Sequence, residues 1–232
     1  MTTPASPSHA RAVLGALLVV VPACLLPVVV AGSLEWWEGW VLAALLFGNF
    51  VVSRALLVHW NPGLAEERSR SFAAPDARSW DRVLAHLLAL GATLIGMTAG
   101  LDVRFGAPTG FPLSFQAGAL CLVLAGLALG NWAMLANPFF SGIVRIQSER
   151  GHRVVSAGPY RWLRHPGYAA TLLAYAVLPV FLDSAWALAP AACLVAVGIV
   201  RTALEDRFLQ DELDGYREYA TRVRYRLVPG VW

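Results

Sequence analysis

The chain contains no lysine, few charged residues of any kind and only three cysteines. Charged residues make up 14% of its 232 residues, against about 25% in ordinary soluble domains. Hydrophobic residues make up 57%, and the mean hydropathy is +0.57. These values exclude an ordinary soluble globular domain and predict an integral membrane protein.

The cysteines and the net charge exclude two further classes of site. Cys24, Cys121 and Cys193 lie inside apolar runs, far from one another, so we expect neither a disulfide framework nor a zinc site. The formal net charge is only +3, which does not argue for nucleic acid as a partner. We therefore expect the membrane to be the main partner of the protein. We expect no metal site and no nucleic-acid partner.

Apolar runs of about 20 residues are long enough to cross a bilayer as helices. Four such runs occur, at 12–32, 36–58, 82–101 and 115–136. The first is longer than the roughly 7–15 apolar residues of a signal peptide, so we expect it to be retained. Two shorter runs, 168–182 and 185–201, flank a turn at Asp183 and Ser184. They form either a tilted pair of crossings or a helical hairpin that dips into the membrane and returns.

The C-terminal residues have a different pattern. Apolar residues recur at spacings of four and three with charges between them, which predicts an amphipathic helix at the membrane surface; they are Leu209, Leu213, Tyr216, Ala220 and Val223. The expected fold is an all-α integral membrane protein of about five to six transmembrane helices, with a C-terminal hairpin and this amphipathic helix. Without a repeat or linker, we expect one domain over 1–232, with N-terminal transmembrane helices in 1–137 and the functional region in 138–232.

The arginines predict the orientation. In the expected topology the polar segments 59–80, 138–167 and 202–232 share one face with the N-terminus, and 17 of the 18 arginines lie on or beside that face, with only Arg104 opposite. Positive charge accumulates on the cytoplasmic side of membrane proteins, so we expect both termini and the functional loop to be cytoplasmic. The alanine-rich, lysine-free composition suggests a GC-rich bacterial genome and hence a bacterial inner membrane.

Polar, aromatic and turn-forming residues are concentrated between 145 and 168. Gly158-Pro159 sets a turn, and Pro166 suits the first position of a following helix. The free N–H groups at that helix start, beside Arg164 and His165, favour an anionic group. The alternative is a plain arginine-rich loop that only obeys the positive-inside rule.

Arg201 and Glu205 lie four residues apart and hence on one helical face. They occur where the last apolar run gives way to acidic residues, and an ordinary interfacial salt bridge is the alternative interpretation. Both this pair and the 145–168 segment lie at the same membrane boundary. They can therefore converge on one site between water and lipid.

The order and spacing of these residues resemble a known family. The C-terminal half of isoprenylcysteine carboxyl methyltransferases, which are related to phospholipid N-methyltransferases, is similar in the positions of Gln147, His152, Val155, Gly158-Pro159-Tyr160-Arg161, Arg164-His165-Pro166, Tyr168, Arg201, Glu205, Asp206 and Leu209. The resemblance covers about 145–225. It implies a cytoplasm-facing pocket for S-adenosylmethionine, which a lipophilic substrate reaches through a tunnel from the bilayer.

The resemblance also implies roles for single residues. Carried over by position, the cofactor site contains Gln147, His152, Arg153, Val154, Val155, Tyr160, His165, Pro166, Gly167, Tyr168 and Glu205. We add Gly158 and Arg164, because the loop and helix start from Gly158 to Tyr168 are expected to hold the cofactor's amino-acid and adenosine parts. Arg201 would face the substrate and neutralise or orient an anionic nucleophile, while Glu205 would hold Arg201 or contact the cofactor. These last two are the candidate catalytic residues.

The predicted function is S-adenosylmethionine-dependent transfer of a methyl group to a lipophilic acceptor. That acceptor would be an isoprenylcysteine-like carboxylate, in a small molecule or a lipidated substrate, or another lipophilic molecule of the bilayer. Two alternatives remain. The ending from Tyr225 to Gly230 also resembles membrane sterol reductases, which use NADPH, and a non-catalytic lipid-binding membrane protein could keep the same fold.

Overall fold

The computed structural model describes residues 7–70 and 78–232, and its secondary structure is helical. Within these two ranges it contains nine α-helices and no β-strand, which confirms the predicted all-α membrane fold. The helices are α1 (Pro7–Ala31), α2 (Trp37–Trp60), α3 (Pro62–Arg70), α4 (Ser79–Ala89), α5 (Gly91–Arg104), α6 (Leu113–Ala136), α7 (Pro166–Phe181), α8 (Leu188–Glu212) and α9 (Tyr216–Arg222).

Three of these helices, α2, α6 and α8, are long and apolar enough to cross a membrane. The pair α4 and α5 passes the same test as a fourth span that is bent by 45°. Two shorter apolar helices complete the set, α7 and the Gly15–Ala31 part of α1. In the described ranges the predicted five to six transmembrane helices are therefore reached only if these shorter helices are counted as well.

The bend between α4 and α5 corrects the prediction of one continuous span over 82–101. It lies beside Tyr175 of α7, whose hydroxyl donates a hydrogen bond to the carbonyl of Leu88. A Cβ atom on Gly91 would lie 2.5 Å from the Tyr175 ring. The tyrosine thus satisfies a carbonyl at the break, and the glycine gives its ring the space to reach it.

The chain turns between α7 and α8 at the predicted residues. Asp183 has a φ of 53°, and its carboxylate accepts hydrogen bonds from the backbone N–H groups of Gly110 and Phe111, at 3.1 and 2.6 Å. The Ser184 hydroxyl accepts a hydrogen bond from Ala187 N–H at 3.0 Å, just before α8. The two helices therefore form the predicted hairpin.

The helix after this turn continues beyond the apolar run 185–201 and ends at Glu212. It therefore includes both Arg201 and Glu205, which the sequence placed on one helical face. Polar residues in this part of the helix can be buried because they contact polar partners. One example is Asp206, which is fully buried. Arg201, Glu205 and Asp206 therefore lie on one continuous helix.

The prediction of a single amphipathic helix at the C-terminus was wrong. Gly215, with a φ of 79°, separates α8 from the short helix α9. The apolar side chains of this region form a small cluster within the protein rather than a membrane-facing stripe. The cluster contains Leu209, Leu213, Tyr216, Tyr219 and Val223, packed with Ile146 and Val154.

The three polar segments predicted to share one face do meet. Arg145 of the loop between α6 and α7 forms a salt bridge of 2.9 Å with Glu67 of α3. Arg78, just before α4, approaches Glu212 at the end of α8 to within 3.4 Å. The three segments therefore lie together at one end of the helical bundle, where the candidate site is found.

Candidate active site

A cavity of about 450 Å³ lies where these segments meet. Its walls come from the loop between α6 and α7, the beginning of α7, the polar half of α8 and the residues around α9. The loop residues lie far from α8 in sequence, so the cavity exists only when the hairpin α7–α8 is folded back against the loop.

The wall formed by the beginning of α7 is shaped by glycine and proline. Pro166 is the first residue of α7, as predicted. Before it, Gly158 begins a short 3₁₀ turn with a φ of 58°, and a Cβ atom there would lie 2.9 Å from Ala136. Left-handed backbone beside a close neighbour favours glycine, so this residue is needed for the shape of the turn.

Asp206 holds the beginning of α7 in place. Its carboxylate is fully buried and lies 2.8 Å from the guanidinium of Arg164 and 2.8 Å from that of Arg226. It also accepts a hydrogen bond of 3.1 Å from the hydroxyl of Tyr216 and lies 3.2 Å from Nε2 of His165. The side chains of Arg164 and His165 are therefore committed to a structural cluster that joins α7, α8 and α9.

Arg201 is fixed in a similar way, by a residue that the sequence did not single out. Its Nε and Nη2 donate hydrogen bonds of 2.6 and 3.1 Å to the two oxygens of Asp81, on α4. Nη2 also donates to the carbonyl of Gly142 at 2.9 Å, and Asp81 accepts a hydrogen bond of 2.6 Å from Val144 N–H. This arrangement fastens α8 to both α4 and the loop, and Arg201 still lines the cavity.

Glu205 does not hold Arg201, which was one of its two predicted roles. Its carboxylate accepts a hydrogen bond of 2.5 Å from the hydroxyl of Tyr168, and both residues line the cavity. The Tyr168 ring in turn lies 5.3 Å from the Arg201 guanidinium. Carboxylate, phenol and guanidinium thus form one polar group on the wall shared by α7 and α8.

An aromatic pair forms another part of the cavity wall. The rings of Phe139 and His152 are stacked, with centroids 4.6 Å apart. Burial and the nearby charges of Arg145 and Arg150 lower the pKa of His152 to about 4, so this ring is neutral at physiological pH. Nδ1 of the neutral ring can then accept the N–H of Gln147, at 3.3 Å.

Most of the residues predicted for the site line this cavity. They are His152, Arg153, Val154, Val155, Tyr160, Arg164, His165, Gly167, Tyr168, Arg201 and Glu205. Three others lie behind its wall: Gly158 and Pro166 shape the backbone, and Gln147 is buried and donates a hydrogen bond to the Phe139 carbonyl. The structure thus brings the predicted set together while giving some members a supporting position.

Residues that the sequence did not predict complete the walls. Tyr216 and Tyr219 come from α9, and Arg68 comes from α3. The spacing that placed Tyr216 on an apolar helical face concealed its contribution to the cavity, and Tyr219 was not singled out by the sequence. Arg68 could not be predicted as a wall residue, because in the sequence it is one of several arginines in a polar segment.

A second cavity of about 290 Å³ lies beside the first, between α2, α6 and α7. Its walls are mainly apolar, with Leu42, Leu46, Val123 and Leu178 among them. The two cavities are adjacent because they share wall residues, namely Asn49, Arg68, Ala89, Phe140, Gly167, Thr171 and Tyr175. The first chamber is the richer of the two in polar side chains and is called the polar chamber below. It meets the apolar chamber along one boundary.

These features define the class of the protein as an all-α integral membrane protein whose polar site adjoins a lipophilic chamber. Residues 119–211 match the model of the isoprenylcysteine carboxyl methyltransferase (ICMT) family, which confirms the resemblance inferred from the sequence. The matched range includes every predicted site residue from Gln147 to Glu205. The family suggests a membrane methyltransferase. No curated protein matches the chain.

Proposed function

We propose that the protein is an S-adenosylmethionine-dependent methyltransferase that acts on a lipophilic acceptor from the bilayer. The observation that carries the proposal is the boundary shared by the polar and the apolar chamber. A reaction between a polar methyl donor and a lipid needs these two environments next to each other. The match to the ICMT family supports the same reaction class.

The groups in the polar chamber suit S-adenosylmethionine. The aromatic surface of Phe139 and His152 is of the kind on which an adenine ring stacks. The exposed Arg153 would pair with the cofactor's carboxylate. Glu205, which accepts a hydrogen bond from the Tyr168 hydroxyl, would face a cationic group of the cofactor, and tyrosine rings also attract cations.

When bound, S-adenosylmethionine supplies a reactive methyl group on a cationic sulfur. The protein then needs mainly to hold donor and acceptor in line, which can lower a barrier by about 7–11 kcal/mol. Arg201 is suited to orient the acceptor because Asp81 and Gly142 fix its guanidinium through Nε and Nη2. Among the described residues Nη1 makes no hydrogen bond, which leaves it for an acceptor oxygen.

The apolar chamber would hold the lipophilic part of the acceptor. A prenylated cysteine carboxylate fits both the chamber and the family's name, and other lipophilic molecules of the bilayer share its chemistry. We also propose that the site and both termini face the cytoplasm, in a bacterial inner membrane. The arginine distribution supports this orientation, since the topology predicted from the sequence has 17 of the 18 arginines on or beside the cytoplasmic face.

Binding to the detergent-solubilised protein tests the proposal. We expect calorimetry to show specific binding of S-adenosylmethionine and S-adenosylhomocysteine, and weaker binding of both by Glu205→Gln. The matched control is Glu212→Gln, because Glu212 is on the same helix but is exposed and outside the cavity. Binding of NADPH instead would favour the reductase alternative. Binding of none of the three would favour a lipid-binding protein without catalysis.

A further inference from the structure

Asn137 joins two parts of the polar chamber, and the sequence did not single it out. It directly follows α6 and lines the chamber. Its Oδ1 accepts a hydrogen bond of 2.8 Å from the backbone N–H of Phe139, and its Nδ2 donates one of 3.3 Å to the hydroxyl oxygen of Tyr160. One side chain therefore connects a member of the aromatic pair with a residue of the predicted cofactor site.

The bond to Phe139 determines which way the Asn137 amide faces. A backbone N–H can only donate, so the side-chain atom that meets it must be the oxygen. If the amide were turned over, its NH₂ group would face this N–H, and two donors would meet. The NH₂ group is therefore the part of Asn137 that faces Tyr160.

This orientation of the amide also determines the direction of the Tyr160 hydroxyl. Its oxygen accepts the N–H of Asn137, so its own proton points away from that amide. At the other end of the residue, the backbone carbonyl of Tyr160 accepts a hydrogen bond of 2.6 Å from the hydroxyl of Tyr219. Tyr160 is thus held at both ends on the wall of the polar chamber, and the chamber offers the space for a partner of the proton.

The Tyr160 hydroxyl also keeps its proton. Burial raises the pKa of Tyr160 above its ordinary value, so the phenol is neutral at physiological pH. A neutral phenol can donate one hydrogen bond while it accepts another. A buried O–H group gains stability from an acceptor, so a ligand atom with a free lone pair would be stabilised beside it.

We infer that Asn137 is a positioning residue for the cofactor, because it directs the Tyr160 hydroxyl to donate a hydrogen bond to bound S-adenosylmethionine. The inference rests on the proposed methyltransferase function and adds a residue to its site. The cofactor has suitable acceptor atoms in its ribose, its adenine ring and its carboxylate. Asn137 acts through the hydroxyl of Tyr160 and needs no contact of its own with the cofactor.

The test is a double-mutant cycle in which calorimetry measures S-adenosylhomocysteine binding to the detergent-solubilised protein. Asn137→Asp keeps an oxygen for the Phe139 N–H but replaces the NH₂ donor by a second acceptor, which draws the Tyr160 proton away from the chamber. Tyr160→Phe removes the hydroxyl altogether. Each single variant should bind S-adenosylhomocysteine about 3- to 12-fold more weakly than the wild type, the effect of one neutral hydrogen bond.

The double variant distinguishes positioning from a general structural role. Without the Tyr160 hydroxyl, the residue at position 137 has no group to direct. Addition of Asn137→Asp to Tyr160→Phe should therefore weaken binding no further. If Asn137 only supported the fold of the chamber, the two losses would multiply.

Asn61→Asp is the matched control. The Oδ1 of Asn61 also accepts a hydrogen bond from a backbone N–H, that of Leu64 at 3.1 Å, but Asn61 lines neither chamber. This variant should bind S-adenosylhomocysteine like the wild type, which separates the loss of the donor from the added negative charge.

Several results would overturn the inference. They are wild-type affinity in Asn137→Asp, losses that multiply in the double variant, and an equal loss in Asn61→Asp. Wild-type affinity in Tyr160→Phe would also overturn it, and this result requires no change at Asn137. Failure of the proposed function would appear differently, as a wild type that binds no S-adenosylhomocysteine, and the inference would then fall with it.

Discussion

Substitution of Asp81 by asparagine tests how Arg201 is positioned. Asp81 makes two hydrogen bonds to the Arg201 guanidinium and accepts a third from Val144 N–H. Asparagine is similar in shape and can keep the bond to Val144 through its oxygen. The substitution removes the negative charge, and the NH₂ group of asparagine cannot accept a hydrogen bond from a guanidinium.

The expected effect follows from the bonds that are lost. A hydrogen bond to a charged group contributes about 1.5–3 kcal/mol, and each 1.4 kcal/mol or so corresponds to a factor of ten. The loss of one such bond predicts that kcat/KM for the acceptor falls by about 10- to 150-fold. Binding of S-adenosylhomocysteine should change little, because Asp81 does not line the cavity.

The assay measures initial rates of methyl transfer together with S-adenosylhomocysteine affinity by calorimetry. The control is Asp211→Asn, which removes an exposed ion pair with Arg217 that should contribute no more than about 1 kcal/mol. Our reasoning would be refuted if Asp81→Asn kept the wild-type kcat/KM. It would also be refuted if transfer and S-adenosylhomocysteine binding fell together, since Asp81 would then support the whole cavity rather than the orientation of Arg201.

Three further predictions concern the walls of the site. In Gly167→Ala the new Cβ would lie 2.6 Å from the Phe140 ring, so the free energy of unfolding should fall by about 1–3 kcal/mol. Gly118→Ala, with open space inside α6, should melt at or slightly above the wild-type temperature, because alanine favours a helix over glycine. Asp206→Asn removes the anion shared by two arginines and should cost about 3–5 kcal/mol, visible as a lower thermal midpoint; an unchanged midpoint would contradict the structural role. The pKa of His152 is lowered to about 4 in the folded protein. The stabilisation of the folded state by the neutral ring is therefore complete above the ordinary histidine pKa of about 6.5 and is lost as the pH falls through 4. Between these pH values the thermal midpoint should fall less for His152→Phe than for the wild type. Identical pH profiles of the two proteins would contradict the lowered pKa of His152.

The sequence predicted the local features of the site well. The beginning of α7 at Pro166, the turn at Gly158 and the i, i+4 pair Arg201 and Glu205 depend on neighbouring residues. Local backbone rules act over such short distances, so the pattern alone could place them. The hairpin turn at Asp183 was predicted for the same reason.

The partners of these residues could not be predicted in this way. Asp81 meets Arg201 only because α4 packs beside α8, and a lone acidic residue near a predicted span carries no sign of such a contact. The end of α8 at Glu212 could not be predicted, because the apolar run stops at 201 and the polar residues beyond it are satisfied by distant partners. The bend at Leu90 likewise depends on Tyr175, which comes from another helix.

The most direct test of the central claim is methyl transfer by the purified protein. It is incubated in detergent with S-adenosylmethionine labelled in the methyl group and N-acetyl-S-farnesylcysteine. We predict a labelled product that is soluble in organic solvent and loses its label in base, as a methyl ester does. We also predict much less product with Glu205→Gln and normal amounts with Glu212→Gln. Absence of labelled product from a wild type that also fails to bind S-adenosylhomocysteine would contradict the account.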